Sequence, residues 1–129
     1  MSSSLEVSDQ AAAAVAVAPR VTLADIEGAI ADRFRLTGRQ AGEVALAHGG
    51  VVDTLSREQH LDKFPSLGVL SICILVLRNG FTVIGKSAPA SPENFNAELG
   101  AKLAYEDAVR QLWPLLGFNL RQKLHDASQ

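Results

Sequence analysis

The sequence is poor in residues on which disulfides, metal sites and polyanion binding depend. Cys73 is the single cysteine among 129 residues, so an internal disulfide and a multi-thiolate metal site are both excluded. The formal net charge is −2, from 12 basic and 14 acidic side chains, which provides no long-range field to concentrate a polyanion. A strongly basic nucleic-acid binder is therefore excluded, and nucleic acid is not a favoured partner.

Long apolar runs are also lacking. No apolar stretch approaches the roughly 20 residues that a helix needs to span a bilayer. The Ala11 to Ala18 stretch resembles the apolar part of a signal peptide, but Glu6 and Asp9 precede it where a signal peptide carries Lys or Arg. Together with the single cysteine, these absences predict a protein of a reducing cytosol with no membrane association.

The composition predicts one folded domain preceded by an arm. Residues Met1 to Arg20 are mostly Ser, Ala and Val, which bury too little apolar surface to offset the entropy of ordering. We expect a disordered arm over residues 1–20 and a single domain over residues 21–129, because about 109 residues make one compact core.

The first half of that domain gives one clear helix signal. Thr22 is a preferred N-cap residue with Asp25 three residues later, and the apolar residues that follow recur at spacings of three or four. This predicts an amphipathic helix over residues 23–36, with Leu23, Ile26, Ile30 and Phe34 on one side. Glycines interrupt residues 37–66, which favours a loop or surface helix there, with one short helix around residues 56–63.

A β-hairpin is the clearest local prediction. Two β-branched apolar runs, Leu70 to Leu77 and Thr82 to Lys86, flank Asn79-Gly80, a pair typical of two-residue type I′ turns. Such a loop would place Val76 opposite Val83. The first strand is apolar on both faces, so it requires cover on both sides.

A long helix follows the hairpin. Ser91-Pro92-Glu93 is a strong helix start, and Pro114 should kink or end the helix near Trp113 before a short final helix. The predicted fold is therefore α+β: an antiparallel hairpin or small sheet at about 69–86, packed on a helix at about 92–113, with helices at both ends. One side of the long helix carries small residues that allow close backbone approach, and we interpret four of them as an interaction surface facing the hairpin or a second copy: Ala97, Ala101, Ala104 and Ala108.

No catalytic, cofactor-binding or metal-binding residues are assigned. Cys73 lies inside an apolar strand, where a thiol is usually a small buried hydrophobe. The histidines, His48, His60 and His125, lack metal-ligand spacing, and no Gly-rich phosphate loop joins a strand to a helix. The sequence therefore favours a protein that is not an enzyme.

Several segments in this order resemble a known family of small tailed-phage proteins. They are Leu77-Arg-Asn-Gly-Phe-Thr-Val83, Ser91-Pro-Glu-Asn-Phe95 and Trp113-Pro-Leu-Leu-Gly-Phe118, with Arg20-Val-Thr22 and Asp25-Ile-Glu27 at the start. The chain resembles the gene-product-49/gene-66 family, named from coliphage N-four and Shigella phage Sf-six. The resemblance implies a phage or prophage origin and brings no catalytic residues with it.

Three functional hypotheses follow. We expect a non-enzymatic phage accessory protein of the host bacterial cytoplasm, which binds a host protein or small ligand and forms a homo-oligomer. The alternative is a nucleic-acid-associated accessory factor that uses Arg33, Arg35 and Arg39 as a local patch. A small enzyme is the third hypothesis, and it would require Cys73 or a histidine beside a carboxylate in a pocket.

Overall fold

The structure is a computed structural model that describes residues 3–48 and 61–129, and it confirms the α+β class. The predicted helix around residues 56–63 lies mostly outside the described residues, and its last three residues form a 3-10 turn. The described helices and strands, in chain order, are α1 (Ser4–Val15), α2 (Leu23–Ala29), β1 (Ile30–Thr37), α3 (Gly38–Ala47), β2 (Ser71–Leu77), β3 (Thr82–Ser87) and α4 (Ala97–Ala127).

The predicted hairpin is present as β2 and β3, but its loop has three residues. Gly80 has φ +91° and is the single described residue with positive φ, so Asn79 is not left-handed as a type I′ turn requires. Leu77 instead pairs with Phe81, donating its N–H to the Phe81 carbonyl at 2.8 Å. One left-handed glycine suits a type I turn followed by a bulge. Leu75 therefore faces Val83, and the predicted register was wrong by one residue.

The predicted helix over residues 23–36 was correct only in its first half. Thr22 and Asp25 form a reciprocal capping box at the start of α2, but α2 ends at Ala29 and the chain continues as β1. This third strand pairs antiparallel with β2, so the sheet order is β1-β2-β3. Phe34, expected on the buried side of a helix, is 53% exposed on the sheet.

The N-terminal arm differs from the predicted disordered segment. Residues 4–15 form α1, capped by the Ser3 side chain, and Leu5 is buried in the core cluster. Asp9 ties α1 to the following chain, because its Oδ1 accepts hydrogen bonds from Arg20 Nη1 and the Leu23 N–H, both at 3.0 Å. The buried Leu5, the Asp9 clamp and a hydrogen bond from Arg110 Nη2 to Ser4 Oγ at 2.8 Å together order this segment of small residues.

The Asp9 clamp should be sensitive to acid. The Leu23 N–H, and after it Arg20, holds the pKa of Asp9 below its usual value of 3.8. A carboxyl with a depressed folded-state pKa stabilises the fold above its unfolded pKa, and this stabilisation is lost as the pH falls through the folded value. We therefore expect α1 to stay docked down to about pH 4 and to detach below it, seen as a change in the NMR shifts of Leu5 methyls.

The control for this titration is substitution of the clamp itself. Asp9→Asn should detach α1 already at pH 7, whereas Asp126→Asn, at the far end of α4, should titrate like the parent protein. If the Leu5 shifts of Asp9→Asn matched the parent at pH 7, the clamp would not hold α1.

Helix α4 differs from the sequence prediction at its start and in its middle. Pro92–Asn94 forms a 3-10 turn without a cap from Ser91, and α4 begins at Ala97, where the Asn96 side chain accepts the Leu99 N–H at 2.9 Å. The helix then continues through Pro114. Pro114 and the residue four before it, Arg110, are both exposed, so water can bind the carbonyl that lacks a partner.

The small residues of α4 set how closely it packs on the hairpin. A Cβ added at Gly85 would meet the backbone of Ala104 and Ala108 and would lie 2.8 Å from the Ala108 Cβ. Helix and strand backbones are therefore in direct contact over β3. The buried hydrophobic core comprises Leu5, Ile26, Cys73, Leu75, Leu77, Val83, Ala104, Ala108, Val109 and Leu112.

Side chains of α4 also cover the outer edge of β3. Asp107 Oδ2 accepts the Lys86 N–H at 2.9 Å, and Gln111 Nε2 donates to the Ile84 carbonyl at 2.6 Å. These backbone groups point away from β2 and would otherwise be open to a further strand.

Candidate ligand-binding cleft

A cleft lies between β1 and the first half of α4. Helix α4 packs mainly on β2 and β3, so β1 is left uncovered on the α4 side of the sheet. Arg33 pairs with Leu75 and Arg35 with Cys73, whose side chains are buried under α4, so both arginines lie on that side. The cleft comprises two hollows of about 270 and 260 Å³ that share Arg35, Glu98 and Ala101.

The first hollow carries an excess of positive charge. Its charged lining residues are Arg33, Arg35, Lys102 and Glu98, three cations against one carboxylate. The Arg33 guanidinium carbon lies 4.9 Å from the ring centroid of Tyr105, a cation–π contact that fixes the guanidinium beside the hollow. Within residues 3–48 and 61–129, neither arginine forms a salt bridge, so both guanidinium groups keep donors for an anion.

The protonated forms of the two neutral lining groups are favoured by their surroundings. Burial raises the pKa of the Cys73 thiol, and nearby Arg33 opposes this in part. Burial also raises the pKa of the Tyr105 hydroxyl, as does the carboxylate of Glu27. The thiol is thus a weak nucleophile, and the tyrosine hydroxyl can donate a hydrogen bond at neutral pH.

The four alanines of the predicted interaction surface separate into two pairs. Ala97 lines the second hollow and Ala101 lines both, where small side chains leave space between helix and strand. Ala104 and Ala108 are 0% exposed because they contact Gly85 of the same chain. These two are core residues that face the hairpin, one of the two alternatives predicted for them, and they are not available to a second copy.

The other residues considered from the sequence lie away from the cleft. His48 caps the end of α3 and His125 is in the last turn of α4, both exposed, and His60 lies outside the described residues. Arg39 is held by Glu43 and Asp62 at 3.0 and 2.8 Å, which removes it from the predicted arginine patch. The described part of the chain holds no cluster of three His, Cys, Asp or Glu residues suited to a metal ion.

Several cleft residues were not assigned from the sequence, and two of them matter for the charge and hydrogen bonding of the first hollow. Tyr105 and Lys102 lie on α4 within one turn of each other, and their role depends on β1 passing opposite them. The alternation of Arg33 and Arg35 around Phe34 was the available signal, because it places both arginines on one face of a strand. The predicted helix over residues 23–36 does not place Arg33 and Arg35 on one face, because residues two apart point in different directions on a helix.

The fold and the cleft define a small α+β domain with a charged hollow between a sheet edge and a helix. No helix in the described ranges combines the length and apolarity needed to cross a membrane. The chain belongs to the phage protein (N4 Gp49/phage Sf6 gene 66) family, whose model matches residues 21–124. This confirms the resemblance seen in the sequence and leaves α1 outside the matched region. Searches of curated proteins and of solved structures gave no match.

Proposed function

We propose that this phage protein is a non-enzymatic accessory protein of the host cytoplasm that binds a small anionic ligand in the cleft. The observation that carries the proposal is the convergence of Arg33 and Arg35 on β1 with Lys102 on α4 around one hollow. A phosphate or carboxylate group bound in this hollow would lie among all three cations.

The residue types suit an oxyanion better than a neutral ligand. Guanidinium groups offer paired donors in a plane that matches carboxylate and phosphate oxygens, and Lys102 adds a compact charge from the opposite wall. Glu98 reduces the net charge of the lining without reversing it. A hollow of about 270 Å³ is near the lower end of ligand-site volumes, which favours a small ligand or one charged group of a larger ligand.

The absence of enzymatic activity is part of the proposal and has specific support. Cys73 is 1% exposed and its thiol is held protonated by burial, while the described histidines do not line the cleft. Among the described residues that line either hollow, Glu98 is the single carboxylate, so the cleft has no pair of carboxylates for acid–base work.

Binding to nucleic acid is the weaker alternative. Arg39 is already paired with Glu43 and Asp62, so the exposed patch is reduced to the two cleft arginines. A polyanion is held by many phosphate contacts in a row, and the cleft offers basic groups at one place.

Titration with inorganic phosphate tests the proposal. We expect side-chain NMR signals of Arg33, Arg35 and Tyr105 to shift in a saturable manner with sodium phosphate, and not with sodium chloride of equal ionic strength. Arg35→Gln should weaken this response about tenfold or more, because a charge-assisted contact to the anion is lost.

The matched control is Arg121→Gln, which removes the same charge from an exposed position near the end of α4. It should bind phosphate like the parent protein. A response that sodium chloride reproduces, or that survives Arg35→Gln unchanged, would rule out the cleft as the anion site. A short single-stranded oligonucleotide that bound much more tightly than phosphate, with steep salt dependence, would favour the nucleic-acid alternative.

A further inference from the structure

The sheet face opposite α4, here called the open face, carries a continuous apolar surface. Along each strand, the residues of the open face alternate with those that face α4. Pairing between the strands arranges the residues of the open face in three rows across β1, β2 and β3. The rows are Leu36-Ile72-Lys86, Phe34-Ile74-Ile84 and Asp32-Val76-Thr82.

The middle row is unusual for a sheet face in contact with water. Phe34 and Ile84 are 53% and 59% exposed, and Ile74 between them is half-buried. Antiparallel sheets with one solvated face normally place polar residues there. A central row of three large apolar side chains is typical of a surface that is covered by a partner.

Side chains of the same chain occupy part of both sheet edges. The outer edge of β3 is taken by Asp107 and Gln111 of α4. On the outer edge of β1, the Arg33 N–H is bound by Asp32 Oδ1 at 2.8 Å and the Thr37 N–H by Gln40 Oε1 at 2.9 Å. Pairing at the edges is thus hindered, and the open face is the large apolar surface that the sheet offers to a partner.

The charges on the open face indicate that the partner is a second copy. The face has one acidic corner, Asp32 on β1, and one basic corner, Lys86 on β3, which lie diagonally across Ile74. Consider two copies whose open faces meet, related by a two-fold axis that lies between the faces and runs along the other diagonal, from Leu36 to Thr82. In this arrangement each Asp32 lies opposite the Lys86 of the other copy. Neighbouring strands lie about 4.8 Å apart and same-face residues about 6.8 Å apart along a strand, so the strands of the two sheets then cross at about 70°, nearer the orthogonal than the aligned arrangement of packed sheets.

The same axis matches the apolar residues. Ile74 lies opposite Ile74 of the second copy. Phe34 lies opposite Ile72 of the second copy, and Ile84 lies opposite its Val76. No charged group of either face then opposes an apolar one, which satisfies the self-complementarity that a two-fold interface requires.

We infer that the open face binds the open face of a second copy, giving a two-fold dimer with reciprocal Asp32 to Lys86 ion pairs. This dimer uses the side of the sheet opposite Arg33 and Arg35. Leu36 and Ile72 of the open face also border the second hollow, but each copy keeps the first hollow, with its three cations, exposed.

Sedimentation equilibrium of the full chain over a range of concentrations tests the inference. The parent protein should reach twice the chain mass. Asp32→Lys and Lys86→Glu each place like charges opposite one another and should each weaken association about tenfold or more. The double variant Asp32→Lys/Lys86→Glu should recover association, because every pair is reversed in sign and remains matched.

Lys123→Glu is the matched control, since it makes the same charge change at an exposed position on α4, and its mass should equal that of the parent. Far-UV circular dichroism checks that each variant is folded. A parent protein that stays monomeric at millimolar concentration would overturn the inference. A dimer that resists both single substitutions, or a folded double variant that fails to recover association, would overturn the two-fold arrangement. Phosphate binding by a monomeric protein would leave the cleft proposal standing, so the two can fail separately.

Discussion

Replacing Gly85 by alanine is expected to lower the free energy of unfolding by about 3 kcal/mol, near the upper end for overpacking in a filled core. The added methyl group would meet the backbone of Ala104 and Ala108, with the Ala108 Cβ at 2.8 Å. Backbone atoms cannot rotate away as a side-chain tip can, so α4 must move off the hairpin. Urea unfolding followed by circular dichroism measures the loss.

Gly117→Ala provides a comparison with the same chemical change. Gly117 lies inside α4, and a Cβ there would have no neighbour within 4 Å. Alanine should therefore raise the free energy of unfolding by about 0.5–1 kcal/mol, because glycine is the more costly residue in a helix. Equal effects of the two substitutions would mean that α4 does not contact β3 as closely as described.

Leu112→Ala should destabilise the protein by about 2–5 kcal/mol, the range for a large core residue cut to alanine. Leu112 is 0% exposed and belongs to the core cluster between α4 and the rest of the domain. The lost methyl groups leave a cavity that rigid neighbours on the sheet cannot fill. Thermal or urea unfolding at several protein concentrations gives the value for the chain itself.

Leu115→Ala is its matched control on the same helix. Leu115 is 42% exposed, so the same truncation changes helix propensity equally and removes far less buried surface. We expect less than about 1.5 kcal/mol, since little apolar area is returned to water. A loss as large as that of Leu112→Ala would indicate that the two residues are buried alike.

Local signals in the sequence were reliable where one chemical feature decides the structure. The Thr22 and Asp25 pair located the start of α2, and Asn79-Gly80 located the hairpin turn. The loop length was not decided by this pair, because Gly80 alone takes the left-handed conformation. A second capping box, at Thr37 and Gln40, marks the start of α3, although the neighbouring glycines favour a loop in a local pattern.

Residues 30–36 fit two periodicities at once, and the helical prediction is wrong over this range because the chain forms β1 there. Ile26, Ile30 and Phe34 recur every four residues, which satisfies a helix and, over the last two, a strand as well. The deciding force is tertiary: β2 is apolar on both faces and gains backbone hydrogen bonds from a neighbour on its free side. Pairing over such a sequence distance is not visible in a local pattern.

The cleft could be anticipated only in fragments. Arg33 and Arg35 were noted as a basic patch, and Ala97 and Ala101 as part of a surface of small residues, but nothing in the sequence joins them. Their juxtaposition depends on β1 pairing with β2 and on α4 being drawn over β3 by Gly85. Helix α4 packs closely on β3, so it does not cover β1, and the hollow is the space left between α4 and β1.

The covering of β3 by Asp107 and Gln111 has a consequence for how many chains can join. Amyloid-like growth requires a strand edge with free backbone groups, to which each incoming molecule adds a further strand. In this protein the outward backbone groups of Ile84 and Lys86 on β3 are bound by side chains of α4. A pairing through sheet faces is complete after two molecules, whereas pairing through edges has no natural limit. The outer edge of β3 is therefore closed to this kind of fibre growth.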